Sequence, residues 1–283
     1  MFRDVDDTFI EVERDDGRVV SLPTTTVETP LRCRGGVGPN PLTTDVQNLG
    51  HDVVAAVLPG DIQYLRWARF GSTADGAFDA EPVQTLLLTT IAQARGRRGL
   101  ILDIRGNEGG LDAMFRAVVQ ALVRDPTVFM LRRLRDGASW GPMANIAVER
   151  NDDAIDVDVA VLTDAASVSA ADFLAACLTT YGRATAFGAP TSGAFGAAST
   201  SPSVFDFTLV NNWAWVVSVD GSSLPGAPAP GDPMEGHPPD VDHAVRATRA
   251  DLTAGVDTVL EAARVFLATS SVGAEADRSD AAR

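Results

Sequence analysis

Short apolar runs of strand length alternate with stretches of helical periodicity along most of the chain. Residues 7–28, DTFIEVERDDGRVVSLPTTTVE, alternate on either side of Asp15, Asp16 and Gly17, which predicts a β hairpin turning at those three residues. RGGVGPNPLTTD, residues 34–45, is rich in Gly and Pro and reads as a linker. A strand is predicted over residues 61–70 and a helix over 81–95. GLILDI, residues 99–104, is continuously apolar, the pattern of a buried parallel strand. The next helix, 110–124, lines up Leu111, Met114, Phe115, Val118, Val119, Leu122 and Val123 on one face.

Strands at 128–133 and 157–162, a helix at 170–181 and a strand at 184–187 continue the alternation. Two β segments follow within 204–220, then a Pro/Gly loop at 224–239 and a last helix at 251–269. The polar tail SSVGAEADRSDAAR, residues 270–283, is expected to be disordered. This order predicts an α/β fold with a mostly parallel sheet: an N-terminal β hairpin and linker at 1–45, an α/β core at 46–269, and the tail.

Composition narrows the function classes. With 283 residues, 45% of them hydrophobic, the chain can bury a full core. A formal charge of −15 makes nucleic acid and anionic membrane surfaces poor partners on electrostatic grounds. All 23 of the Lys+Arg positions are arginine. Cys33 and Cys177 are too few for a disulfide framework, and Cys177 lies in an apolar stretch where a thiol packs as a small hydrophobe. No window reaches the length of a membrane span, and residues 1–16 show no signal peptide. If Met1 is the native start, the expected compartment is the cytoplasm.

Two junctions can carry chemistry. In LILDIRGNEGG, residues 100–110, an apolar strand runs into Gly109 and Gly110, where backbone N–H groups can converge on an anion. Alone, this is a tight turn opening a helix; the spacing is not that of a dinucleotide site. In VDVAVLTDAASVSAAD, residues 157–172, a second buried strand meets a small-residue turn, and Ser169 stands where the next helix begins. There the helix dipole favours developing negative charge. Alone, Ser169 followed by Asp172 is the spacing of a helix cap.

Together the two segments resemble the carboxyl-terminal processing (tail-specific) serine peptidase family. The shared features are a hydrophobic strand ending in D-x-R-G-N-x-G-G (Asp103 to Gly110), S-x-S-A-x-[ED] opening a helix (Ser167 to Asp172), and Y-G-R-A (Tyr181 to Ala184). A later G-x-x-P-D is matched by Gly236, Pro239 and Asp240, with His243 where the family has a valine. The resemblance spans roughly residues 61–245. It implies a crotonase-like ββα core, with Ser169 as nucleophile and an oxyanion site made by backbone N–H groups of Ala170, Gly109 and Gly110. It implies no cofactor. A PDZ domain often precedes the core in this family; residues 7–28 resemble at most its closing strands, so a complete one is not expected.

The departures bear on the base. Where the lysine-dependent branch has T-x-G-K-G, this chain has Thr191, Ser192, Gly193 and then Ala194. It is closer to the lysine-less branch of the tricorn core and interphotoreceptor retinoid-binding protein. At the early-strand position where tricorn-like members carry a histidine base, Arg66 stands, and a guanidinium stays protonated. The remaining bases are His51, His237 and His243, of which His237 and His51 are the candidates. Three histidines so scattered suggest no metal site. Trp213 and Trp215 alternate in a β segment and read as hairpin packing, with an aromatic wall of a substrate groove as the sharper alternative. Asp103 and Arg105 are expected to pair and brace the turn.

The reading that follows is a serine hydrolase cleaving peptide or amide bonds through Ser169 with a non-lysine base. Its alternatives are an inactive family member that binds a peptide or small ligand, and one recruited for acyl chemistry on small substrates. The expected partners are a peptide or small acyl substrate and a second copy of the chain in a homo-oligomer.

Overall fold

The computed structural model describes residues 9–13, 19–23, 46–71, 81–136, 139–180, 182–196, 198–201, 209–212, 214–218 and 234–280. The backbone divides into two compact units, residues 1–34 and 35–283. In the first, β1 (Phe9–Glu13) pairs antiparallel with β2 (Val19–Pro23), with Phe9 opposite Pro23 and Glu13 opposite Val19. This is the hairpin the alternation predicts; its turn residues lie outside the described set.

The second unit is built on a seven-stranded sheet. Its elements begin with β3 (Gln47–Gly50), β4 (Val53–Leu58), β5 (Ile62–Trp67), α1 (Glu81–Ala92), β6 (Gly99–Asp103) and α2 (Asp112–Leu122). They continue through β7 (Thr127–Asp136), β8 (Ser139–Trp140), β9 (Ala144–Val148), β10 (Asp158–Thr163), α3 (Ala170–Thr180) and β11 (Thr185–Gly188). The last are β12 (Ala198–Ser201), β13 (Leu209–Asn212), β14 (Ala214–Ser218), β15 (His243–Ala244), α4 (Arg249–Ala254) and α5 (Thr258–Asp280). Strand order is β15-β11-β10-β6-β5-β4-β3. From β15 to β5 the strands are parallel; β4 and β3 are antiparallel additions at one edge.

Both faces of this sheet are buried, which explains why β6 and β10 read as unbroken apolar runs. Leu65, Trp67, Leu100, Leu102, Val159 and Val161 face one core with α1, α2 and α3. Their neighbours Ile62, Tyr64, Ile101, Ala160 and Leu162 face a second core completed by Val259, Leu260, Ala263 and Leu267 of α5. The architecture is thus α/β with a mostly parallel central sheet, as the order of apolar runs predicts. Beside it, β7 carries β8, β9 and β14 in a smaller antiparallel sheet, and β12 pairs with β13.

Several elements differ from expectation. β4 and β9 were not predicted, and the expected last helix is two helices. Gly255, at φ +71°, ends the first of them. Asp257 opens the second, its Oδ1 accepting the Leu260 N–H at 3.1 Å. The backbone of α5 continues to Asp280, past the expected end at residue 269. Trp213 and the side chain of Trp215 lie outside the described set, as does Cys33.

Candidate active site

The parallel strands β6, β10 and β11 all end at one edge of the sheet, and the turns that leave them meet there. This is the edge where ligands bind in open α/β sheets, because successive loops converge at the strand C-termini. Val168 N–H donates to Asn107 O at 2.9 Å and Ser192 N–H to Ser167 O at 3.0 Å, lacing the three turns by main chain. Asp164 adds a side-chain link, its Oδ1 accepting the Gly106 N–H at 2.9 Å.

The turn after β6 is anchored from below. Asn107 is fully buried; its Nδ2 donates to Trp67 O and its Oδ1 accepts the Gly109 N–H, each at 2.9 Å. Phe70 N–H donates to Gly109 O at 2.7 Å and Leu111 N–H to Phe70 O at 3.0 Å, so Gly110 is flanked by a two-bond bridge without its own N–H taking part. No side chain fits at either glycine. A Cβ on Gly110 (φ +142°) would lie 2.1 Å from Phe70 O, and one on Gly109 (φ +82°) 2.7 Å from the Ser169 Cβ. Of the two amides, then, that of Gly109 is spent inside the turn and that of Gly110 is not.

Ser169 stands at the N-terminus of α3 with φ +59°, a left-handed backbone that non-glycine residues rarely adopt. It is half-buried, and its own N–H donates to Asp172 Oδ2 at 2.6 Å. The expected cap is therefore formed in one direction only: the carboxylate caps the turn, and among the described residues nothing hydrogen-bonds the serine hydroxyl. Ala170 N–H, the first amide of the helix, is likewise uncommitted, as the first amides of a helix are by construction. A Cβ on Gly109 would come within 3.1 Å of that nitrogen, so the glycine turn and the serine turn are in direct contact. The N-termini of α2 and α3 follow these two turns, and each helix dipole favours negative charge at the contact.

Asp172 extends the site. Fully buried, it also accepts from Ser192 Oγ (2.8 Å), Gly193 N–H (2.7 Å) and Ala194 N–H (3.2 Å). The segment it holds carries Ala194, half-buried, and then Phe195, wholly buried with its ring edge-on to Phe173 at 5.2 Å. On its far side Gly236 N–H donates to Gly193 O at 2.8 Å and Gly196 N–H to Glu235 Oε2 at 2.7 Å. His237 closes this second turn, its N–H donating to Met234 O at 2.9 Å around Gly236 (φ +78°), and its Nδ1 lies 3.0 Å from Glu235 O.

The other histidines sit elsewhere. His51 and Asp52 occupy the β3–β4 turn with φ of +53° and +59°, and both are exposed. Arg69 lies 4.0 Å from Asp52 and 3.4 Å from Glu108, tying that turn to the glycine turn. His243 stacks on Phe187 at 4.5 Å at the opposite edge of the sheet and serves packing. Arg66 lies beside Asp103 in register across β5 and β6.

Asp103 and Arg105 pair as expected. Arg105 grips both Asp103 oxygens (2.8 and 2.6 Å) and both Asp257 oxygens (2.9 and 2.7 Å), while Tyr64 OH donates to Asp103 at 2.8 Å. Burial pushes the Asp103 carboxyl up, but the Arg105 guanidinium outweighs it, with help from Arg66 and the Tyr64 hydroxyl, and holds the group below its ordinary value. The Tyr64 hydroxyl is pushed up by burial and by the Asp103 charge. Sequence reasoning missed Asp257 and the reach of Asp172 to residues 192–194. The Gly255-Val256-Asp257 stop-and-cap signal could have revealed the first; the second depends on contacts remote in sequence.

Among the described residues, no three His, Cys, Asp or Glu side chains are grouped to hold a metal ion, and no helix is long and apolar enough to cross a membrane. Burial raises the Cys177 thiol, away from thiolate chemistry.

Residues 61–222 match the family description "Peptidase family S41". No curated protein matches the chain. Among solved structures, a candidate peptidase from Parabacteroides merdae ATCC 43184 superposes with a TM-score of 0.63 at 21% identity, over 80% of this chain and 67% of its own. Mature CPAF complexed with lactacystin gives 0.60 at 14% identity, over 93% and 67%. An S41 protease candidate from Bacteroides fragilis NCTC 9343 gives 0.54 at 17% identity, over 91% and 64%. The chain spans about two thirds of the length of each.

Proposed function

Since the chain belongs to peptidase family S41, a family of serine proteases, we propose that it hydrolyses peptide or amide bonds through Ser169 with a base other than lysine. Ser169 Oγ attacks the carbonyl carbon while His237 Nε2 takes its proton. The N–H groups of Gly110 and Ala170 receive the oxyanion that forms. His237 then gives the proton to the departing amine, leaving an acyl ester on Ser169. Water, deprotonated by the same nitrogen, attacks the ester and releases the acid.

The observation that carries this reading is Ser169 itself: a left-handed backbone at the mouth of α3, with Asp172 doing the capping and the hydroxyl outside the cap. A serine kept only as a cap has no need of such a backbone. Gly109, whose amide is bonded to Asn107, serves by its missing side chain rather than as a donor. His237 is preferred to His51 because its turn is bonded to the segment that Asp172 holds. Its Nδ1 faces a carbonyl oxygen, which can only accept, so the neutral ring carries its lone pair on Nε2.

The test is a fluorophosphonate probe. The wild type labels, and Ser169→Ala and His237→Gln do not, while all three melt alike. A wild type that neither labels nor cleaves unstructured peptides gives way to a second reading, a groove that binds without turnover. Arg66 and Ala194, at two positions where relatives carry a base, favour that second reading.

A further inference from the structure

The turn that carries His237 is joined to the serine's own helix by hydrogen bonds and a short stretch of main chain, and one exposed residue holds two of the links. From Ser169 N–H the line runs to Asp172, and from Asp172 to the amides of Gly193 and Ala194. From there it passes along the main chain to Gly196, whose N–H meets Glu235 Oε2 at 2.7 Å. Glu235 then turns the line back through its carbonyl oxygen to His237 Nδ1 at 3.0 Å. A second bond, Gly236 N–H to Gly193 O at 2.8 Å, runs beside it, and a Cβ on Gly193 would lie 2.9 Å from Pro238 Cδ.

Resting on the reading of His237 as the base, we infer that Glu235 is the positioning residue for that imidazole. Its carboxylate fixes the Met234–His237 turn against the segment held by Asp172, through a charge-assisted bond to a backbone amide. Its carbonyl fixes the proton on Nδ1 and so keeps Nε2 available. The side chain acts through the main chain: when the carboxylate lets go of Gly196, the peptide whose carbonyl holds the ring is left with the Gly236 N–H bond to Gly193 O as its tie to that segment, and the ring is held less firmly. Glu235 is exposed, so it contributes little to the core, and a role in holding the turn accounts for the short bond it makes.

Two measurements test this, one of them independent of activity. In protein labelled with ¹⁵N-histidine, His237→Gln identifies which of the three histidine signals belongs to residue 237. With the imidazole neutral, the wild-type ring carries its proton on Nδ1, and in Glu235→Ala the signal shifts toward a mixture of tautomers. Fluorophosphonate labelling of Glu235→Ala is slower by about tenfold in its maximal rate, with the half-saturating probe concentration unchanged. Glu235→Gln, whose amide oxygen still accepts from Gly196, restores the rate to within about twofold. A wild-type ring protonated on Nε2 overturns the inference, as does a Glu235→Ala variant with unaltered tautomer and rate. If the wild type does not label at all, the catalytic reading falls by itself, and the ring signal still decides the role of Glu235.

Discussion

Ser169 N–H donates to Asp172 Oδ2 at 2.6 Å, so the carboxylate three residues on caps α3 while the serine carries a left-handed backbone. A non-glycine residue there stores about 1–2 kcal/mol of strain. Ser169→Gly is expected to raise stability by about 1 kcal/mol, and Ser169→Ala to leave it nearly unchanged, since alanine inherits the strain. Denaturant midpoints of the two variants check this; a Gly variant less stable than the Ala variant refutes it.

Asp172 answers four donors with two oxygens. Asp172→Asn turns one oxygen into an NH₂ group facing backbone amides, and the loss expected is about 3 kcal/mol. A lowered midpoint at constant denaturant slope is the expected outcome, together with a labelling rate that falls with it.

Three glycines with left-handed backbones separate conformational cost from collision. Gly182→Ala, at φ +61° with nothing within 4 Å of the new Cβ, is expected to cost about 1 kcal/mol. Gly109→Ala meets Val168 O at 2.6 Å and Gly110→Ala meets Phe70 O at 2.1 Å, and each is expected to cost more than about 3 kcal/mol. Thermal melts of the three place Gly182→Ala nearest the wild type.

Acid stability follows from Asp103. Its folded pKa lies below the unfolded value, so the stability it contributes is complete above about pH 4 and is lost as pH falls through the folded value. Asp103→Asn is expected to be less stable near neutrality, because Arg105 loses a charged partner, and to lose less of its remaining stability on acidification. Parallel pH titrations of the denaturant midpoint measure both.

Much of this was legible in the chain. β5, β6, β10, α2 and α3 fall within a few residues of their predicted positions because each is a long apolar run or a clear helical face. β4, VVAAVL, escapes the pattern because alanine carries little strand signal, and its place is set by pairing with β5. β15 has two residues and is defined by its partner β11. At the site, Ser169 and the glycine turn were visible as strand-turn-helix junctions. The spacing of Ser169 and Asp172 reveals that a carboxylate can reach back, but not that the serine's backbone turns its hydroxyl out of the cap. Asp172 binding residues 192–194 and Glu235 binding Gly196 are meetings of distant segments, which local pattern does not encode.

Phe195 follows Ala194 directly, and its ring is wholly buried against Phe173, which stacks in turn on Phe115 at 5.3 Å. Lifting that ring into water costs about 2–3 kcal/mol, and the bonds to Asp172 would have to break as well, so the segment beside the serine spends at most about one part in a hundred detached. The segment next to Ser169 thus behaves as a fixed jamb rather than a door. On the proposed function, a substrate must be shaped to it on arrival, and selectivity on this side comes from exclusion at entry instead of closure after binding.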